Sequence, residues 1–249
     1  MPLDALWQLA PTVGLLAGIV VAWEVTVRAA EVPSYLVPAP SLVAARWAQD
    51  PGFFLTEGGV SLGEALGGLL VGGGAALLVG LVMARVRWLE RAVLPLALVL
   101  KMTPVVVVAP LFVLWFGFGP APRVLIAALL TFFPVLIGAV TGLRAVPAAP
   151  RDVLATLNAS PLQEVWLLRL PAALPHLFAA FKISATLALL GAVIAEWVGG
   201  DRGLGRDILL ANSKLDTPTT LAGVVTLAAL GLAMVGVLSL LERRWVFWQ

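Results

Sequence analysis

Six stretches of this chain stay apolar for about 20 residues, the length a helix needs to cross roughly 30 Å of bilayer hydrocarbon, and they limit its fold class more than any other feature. They run from about 6 to 27, 60 to 83, 91 to 114, 124 to 143, 172 to 198 and 221 to 241. Lipid offers no partner to a backbone N–H or C=O, so single segments of this kind cross it as helices, which satisfy those groups internally. Charge agrees: at 12% charged residues, a 249-residue chain cannot clothe a water-soluble surface. The expectation is an all-α, polytopic membrane protein with six transmembrane helices, forming one domain over residues 1–249. No basic stretch and no small-residue cleavage site precede the first apolar run, which reads as a retained span and not as a signal peptide. The absence of cysteine excludes a disulfide framework and thiolate metal sites. A net charge of +2 gives no ground for a nucleic-acid partner.

The spans differ in character. In the second, Gly63/Gly67 and Gly68/Gly72 repeat at four residues, which would lay bare backbone on one helix face for close packing. "KMTP" and Pro110 interrupt the third, and Pro134 lies within the fourth. Between the first and second spans, "LVAARWAQ" reads as an amphipathic stretch at the membrane interface. Residues 201–219 read as a loop ahead of the sixth span.

Orientation follows from basic residues on each side. With six spans, one side holds both termini and Arg85, Arg87, Arg91, Arg144, Arg151, Arg169, Arg243 and Arg244. The other holds Arg28, Arg46, Arg123, Arg202, Arg206 and Lys214, spread over longer loops with more acids. The bias makes the first side, with both termini, cytoplasmic. Trp88, Trp245 and Trp248 beside those arginines, and Trp197 near the far boundary, fit interfacial belts.

Residues 151–175, "RDVLATLNASPLQEVWLLRLPAALP", form a polar interruption on the cytoplasmic side. Pro150 suits a first helical position. Val153, Leu154 and Leu157 share one side of the helix that follows, and Asn158 can take the left-handed conformation that ends it. Ser160, Pro161 and Gln163 spell a capping box that starts a second helix, striped by Leu162, Val165 and Trp166. A helix–turn–helix of this kind either lies against the bundle and the membrane interface or docks on a soluble partner.

The segment resembles the cytoplasmic signature of the permease subunits of binding-protein-dependent ABC importers, E-A-A-x3-G-x9-I-x-L-P. Aligned on Leu170-Pro171, the signature sets Asp152 at the acid, Val153-Leu154 at the alanines, Asn158 at the glycine and Leu168 at the isoleucine. "LPAALP", "APLFVLWFGFG", "AEWVGGDRGLG", Trp23-Glu24 and Ala159-Ser160-Pro161 are similar to the nitrate, sulfonate and taurine branch. Asp keeps the acid's charge and Asn keeps access to positive φ, whereas Val-Leu is bulkier than Ala-Ala.

The resemblance implies a membrane-spanning permease whose coupling segment, at about 144–171, passes ATP-driven closure of a separate ATPase to the spans. Asp152, Val153, Leu154, Leu157, Asn158, Ala159, Ser160, Pro161 and Leu162 would form that contact. The implied partners are two ATPase subunits, an extracytoplasmic solute-binding protein, membrane lipid and a second permease, most simply an identical copy. ATP and magnesium would belong to the ATPases, leaving this chain without a cofactor, metal or catalytic residue. The cell inner or plasma membrane is the implied location. The branch implies a small anion (sulfonate, taurine or nitrate) or a vitamin or its precursor, of thiamine-precursor or riboflavin type.

Residue-level readings agree with that division of labour. No G-x-x-x-x-G-K-[ST] is present, and the glycine-rich 199–205 lacks the lysine of a phosphate-cradling loop. Lys101, in "VLKMTPVVV", and Thr103 either line the translocation pathway at a broken helix, or Lys101 snorkels or pairs with an acid. Lys182 reads as snorkelling to headgroups. Glu196 is expected to anchor the far-side loop or meet a binding protein, with Glu24 in a similar structural role. His176, the lone histidine, reads as a helix-end residue and not as a metal ligand. An ion-coupled secondary transporter is the competing class, but it wants acids at mid-depth, and Glu24, Glu64 and Glu196 lie near span ends. Protease signatures are absent.

Overall fold

The computed structural model describes residues 2–247, with side chains from residue 11 onward except at 85, 87, 100, 101 and 155. All regular structure among the described residues is helical: α1 (Pro2–Ala29), α2 (Pro40–Gln49), α3 (Pro51–Arg85), α4 (Arg87–Met102), α5 (Val105–Phe116), α6 (Pro120–Arg144), α7 (Ala148–Thr156), α8 (Pro161–Glu164), a π-helical turn (Val165–Arg169), α9 (Leu170–Gly199), α10 (Leu204–Ser213) and α11 (Thr217–Trp245). Among the described residues, five helices are long and apolar enough to span, and α5 is a shorter apolar helix.

Three expectations change. The third span is a helix, a break and a helix: Pro104 disfavours helical geometry at Thr103 and sits extended at the start of α5, while Pro110 lies inside α5 without ending it. Residues 204–213 are helical and not loop. The second helix of the predicted hairpin does not stop, but continues through the π-helical turn into the fifth span, making one apolar helical run from Pro161 to Gly199. "LVAARWAQ" falls within the separate helix α2.

The chain divides into two compact units. In the first, Met1–Thr56 with Asp207–Thr226, the carboxylate of Glu24 accepts from Arg28, from the Ser41 hydroxyl at 2.8 Å and from the Ser41 backbone N–H at 2.9 Å. Ala39 gives α2 no side-chain cap, so Glu24 satisfies an N-terminal donor of α2 from a distance. Arg46 donates to Thr219 at 2.8 Å, and Trp47 donates to Thr226 at 3.2 Å.

In the second unit, Glu57–Arg206 with Leu227–Gln249, small residues let helices approach closely. A Cβ at Gly68 or Gly72 would overlap the α6 backbone around Ala127 and Ala128, and Thr131 Oγ1 donates to the Gly68 carbonyl at 3.1 Å. Gly63 has no such neighbour, so the first predicted glycine pair packs only through Gly67, against Val124. Gly142 meets Ala173, Gly138 meets Ala180 and Gly191 meets Ala127, so α6 and α9 run antiparallel. The unit therefore has a turn end, where α6 finishes and α9 begins, and a far end, where α6 begins and α9 finishes. Ala65, Leu69, Ala188, Leu189, Ala192 and Met234 close one core cluster, and Met83, Ala97, Phe133, Leu136 and Val140 belong to another.

Candidate functional site

At the turn end, α7 stops because Asn158 adopts φ 52°, the left-handed conformation that lets the chain reverse. The Ala159 N–H then bonds back to the Leu154 carbonyl at 3.0 Å, the six-to-one link of a Schellman motif. Two residues on, the capping box forms as its spelling requires. Gln163 N–H donates to Ser160 Oγ at 3.3 Å, Ser160 N–H donates to Gln163 Oε1 at 2.7 Å, and Pro161 occupies the first helical turn.

This turn leaves its apolar residues in the open. Leu157 is 71% exposed, Trp166 is 62% exposed, and Val153 and Leu162 are also exposed. Val153 and Leu157, four apart, share that outward face, while Leu154 is half-buried against it. The predicted single stripe is thus divided between an inner and an outer side. Asp152, Leu154 and Ala159 edge a small cleft of about 220 Å³, and Asn158, Ser160 and Pro161 are exposed at the reversal.

The π-helical turn has a visible consequence. Its wider winding brings residues five apart onto one side, and there Arg169 Nε and Nη2 both donate to Glu164 Oε1, at 3.0 and 2.8 Å. Arg144 pairs with Glu90 nearby.

The proposed pathway residues are only partly visible. Lys101 falls outside the residues whose side chains are described. Thr103 is exposed in the α4–α5 break and donates to the Val99 carbonyl at 3.2 Å. Lys182 departs from the snorkelling expectation, pairing with Glu242 on α11 at 2.8 Å. His176 is exposed, and the described residues hold no cluster of potential metal ligands.

Sequence reasoning missed the polar network at the far end. The four N–H groups at the start of α10 all end on side chains of α3 and α9. Gly203 donates to Glu57 at 2.9 Å, Leu204 to Ser61 Oγ at 2.9 Å, and Gly205 and Arg206 to Glu196 Oε2 at 2.6 and 3.2 Å. That capture is what makes residues 204–213 helical. Gly203 has φ 114°, and a Cβ there would strike the Glu196 carboxyl, so glycine is required on both counts.

Beside it Arg123, 3% exposed, donates to Glu64 Oε1 at 2.6 Å and bonds Asp201 with its other terminal nitrogen. Asp201 lies outside the spans, and the Arg123 hydrogen bond holds its carboxyl below the usual aspartate range. Arg202 extends the network to Glu57 at 2.8 Å. Glu196 therefore anchors the far-side loop, one of its two expected roles. The available signal was a charge within one apolar stretch, Glu64, and another immediately before the next, Arg123, which predicts partners without saying which.

Comparison with known proteins comes to the same place. Residues 76–247 match the family described as binding-protein-dependent transport system inner membrane component. A riboflavin transport system permease protein of Chloroflexus aurantiacus is 37% identical over 96% of this chain and 91% of its own length. A formylaminopyrimidine transport permease protein of Halalkalibacterium halodurans is 31% identical over 93% of this chain and 92% of its own. A putative aliphatic sulfonates transport permease protein of Bacillus subtilis is 31% identical over 94% of this chain and 86% of its own. Among solved structures, the inward-facing MetNI methionine ABC transporter aligns with a TM-score of 0.70 at 17% identity, covering 78% of this chain and 96% of that one, a likeness of fold.

Proposed function

This chain belongs to the binding-protein-dependent transport system inner membrane components, the permease subunits of ABC importers, and from that membership we propose that its turn around Asn158 is where an ATPase subunit drives it. Membership makes the chain a multi-pass transport component of the inner membrane and not an enzyme, working with ATPase and solute-binding partners. The observation that carries the coupling proposal is the exposed apolar face of Val153, Leu157 and Leu162 on a rigidly capped reversal. A surface of that kind suits a groove on another protein. Through the uninterrupted helix from Pro161 to Gly199, a push on the turn would reach the middle of the bundle.

The finer assignments follow from the same premise. The turn end and both termini lie in the cytoplasm, in line with the arginine bias. The two units act as one transmembrane domain, and two copies of the chain enclose the pathway, with Lys101 and Thr103 at the broken third span lining it. ATP is bound by the partner alone: the glycine-rich 199–205 lacks a P-loop lysine, and the N–H groups around it are taken by Glu57, Ser61 and Glu196. The solute is a riboflavin-type vitamin or a formylaminopyrimidine, as named for the relatives at 37% and 31% identity. A small anion such as a sulfonate, taurine or nitrate is the second reading, supported by the sulfonate relative.

Because the chain has no cysteine, Leu157→Cys installs a single reactive position. Co-expressed with its ATPase, L157C should cross-link to that subunit. Leu157→Asp should leave the melting temperature of the purified permease unchanged while abolishing solute-stimulated ATP hydrolysis. Coupling at this turn is refuted if L157D keeps full stimulation.

A further inference from the structure

The turn end also holds a basic cleft, on a side of the coupling segment away from Val153 and Leu157, which do not line it. Four arginines and two glutamates line a cleft of about 950 Å³ enclosed by α4, the end of α6, α7, α8 and the π-helical turn. Their pairing is uneven. Arg144 is matched to Glu90, and Arg169 to Glu164 through two N–H groups. Arg151 lies 3.6 Å from the same Glu164 oxygen, too far for a hydrogen bond, and Arg91 is exposed and unpaired among the described residues. The wall therefore carries a net charge of +2, four arginines against two glutamates. Because each glutamate already has its own guanidinium, an incoming anion meets Arg91 and Arg151 without facing a bare carboxylate.

We propose that Arg91 and Arg151 bind an anionic phosphate group in this cleft, carried by a membrane phospholipid headgroup or by a free phosphate. Guanidinium forks match phosphate oxygens in geometry and keep their charge at any physiological pH. The cleft also lies where a headgroup would be found. Ala84 and Leu143, at the ends of the apolar spans α3 and α6, form part of its wall, and Trp88, 69% exposed, precedes Arg91 by three residues. Basic pockets between helix ends on a cytoplasmic face are suited to anionic headgroups. The proposal rests on the membrane placement of the spans and on the ATPase leaving Arg91 and Arg151 uncovered, and is independent of which solute is carried.

Native mass spectrometry of the full-length permease, titrated separately with phosphatidylglycerol, phosphatidylethanolamine and inorganic phosphate, tests it. Wild type should retain phosphatidylglycerol in preference to phosphatidylethanolamine. Arg91→Gln breaks no described contact and so keeps the fold. It should weaken phosphatidylglycerol about fivefold, and R91Q/R151Q about thirtyfold, at the usual worth of one surface arginine each. R91K should retain part of the affinity. Competition by millimolar phosphate would assign the site to a free phosphate, and its failure would assign it to lipid. Equal retention of the two lipids with no phosphate binding overturns the proposal, as does selectivity unchanged in R91Q. An R91Q variant that instead loses its ATPase subunit would make the cleft part of the subunit contact, and that too overturns it.

Discussion

The two ends of the second unit solve the same problem, ending helices among apolar spans, in opposite ways. At the turn end the bonds that shape the reversal are short in sequence, Ala159 to Leu154, Ser160 to Gln163 and Glu164 to Arg169, with the Arg144–Glu90 pair as the long-range exception. At the far end the bonds join Arg123 to Glu64 and Asp201, Leu204 to Ser61 and Gly203 to Glu57, across 59 to 146 positions. The bonds of the reversal itself are made within residues 153–169, although α8 runs on into the fifth span. The far end holds its shape only while α3, α6 and α9 stay together. The contrast is between a locally bonded handle at the turn end and a polar knot tied across three helices at the far end.

The contrast is most easily broken at Arg123. Arg123→Met leaves Glu64 buried and unpaired, which should cost about 3–5 kcal/mol in detergent unfolding, and R123M/E64M should recover most of it. The matching change at the turn end, Arg169→Met, removes a partly buried pair whose members still reach solvent and should cost less, about 1 kcal/mol. Equal losses at both ends would remove the distinction between handle and knot.

A smaller effect is expected at the reversal. Asn158→Val forces a β-branched residue to φ 52°, costing about 1–2 kcal/mol, while Asn158→Gly should be close to neutral. Ser160→Ala removes the cap at about 1 kcal/mol. Both losses should appear as faster amide exchange confined to residues 151–164, with protection at 196–206 unchanged. Faster exchange at both ends would mean that the reversal is not held by its local bonds alone.

The same contrast explains what could be read from sequence. The turn was legible residue by residue because capping chemistry is local: Asn158, Ser160, Pro161 and Gln163 form the structure their spelling predicts. Span positions were legible because apolar length is a property of one segment. The helix at 204–213 was not, since its start depends on acceptors from Glu57, Ser61 and Glu196, two of them on a helix some 140 positions earlier. Lys182 failed for the same reason, its partner Glu242 lying 60 positions away. The continuation of α8 into α9 was hidden because a π-helical turn has no composition of its own, and Pro171, two residues into the longer helix, reads as a start.

The smallest effect isolates the exposed arm of the knot. Arg123 holds the Asp201 carboxyl below its ordinary range, so the folded state binds that proton less readily than the unfolded chain does. The stabilisation is therefore complete above the unfolded value of about 3.9 and is lost as pH falls from there through the folded value. Asp201→Asn should lower stability slightly at neutral pH and flatten the acid limb of a melting-temperature profile taken between pH 6 and pH 3. Ser160→Ala, which removes no charge, should run parallel to wild type throughout. If D201N also ran parallel, Asp201 would contribute nothing in solution and the knot would reduce to its buried members, Arg123, Glu64 and Glu196. The bond to an exposed acid would then have to be dropped from the comparison, leaving Arg123 to Glu64, Leu204 to Ser61 and Gly203 to Glu57 as the long-range bonds that separate the far end from the turn end.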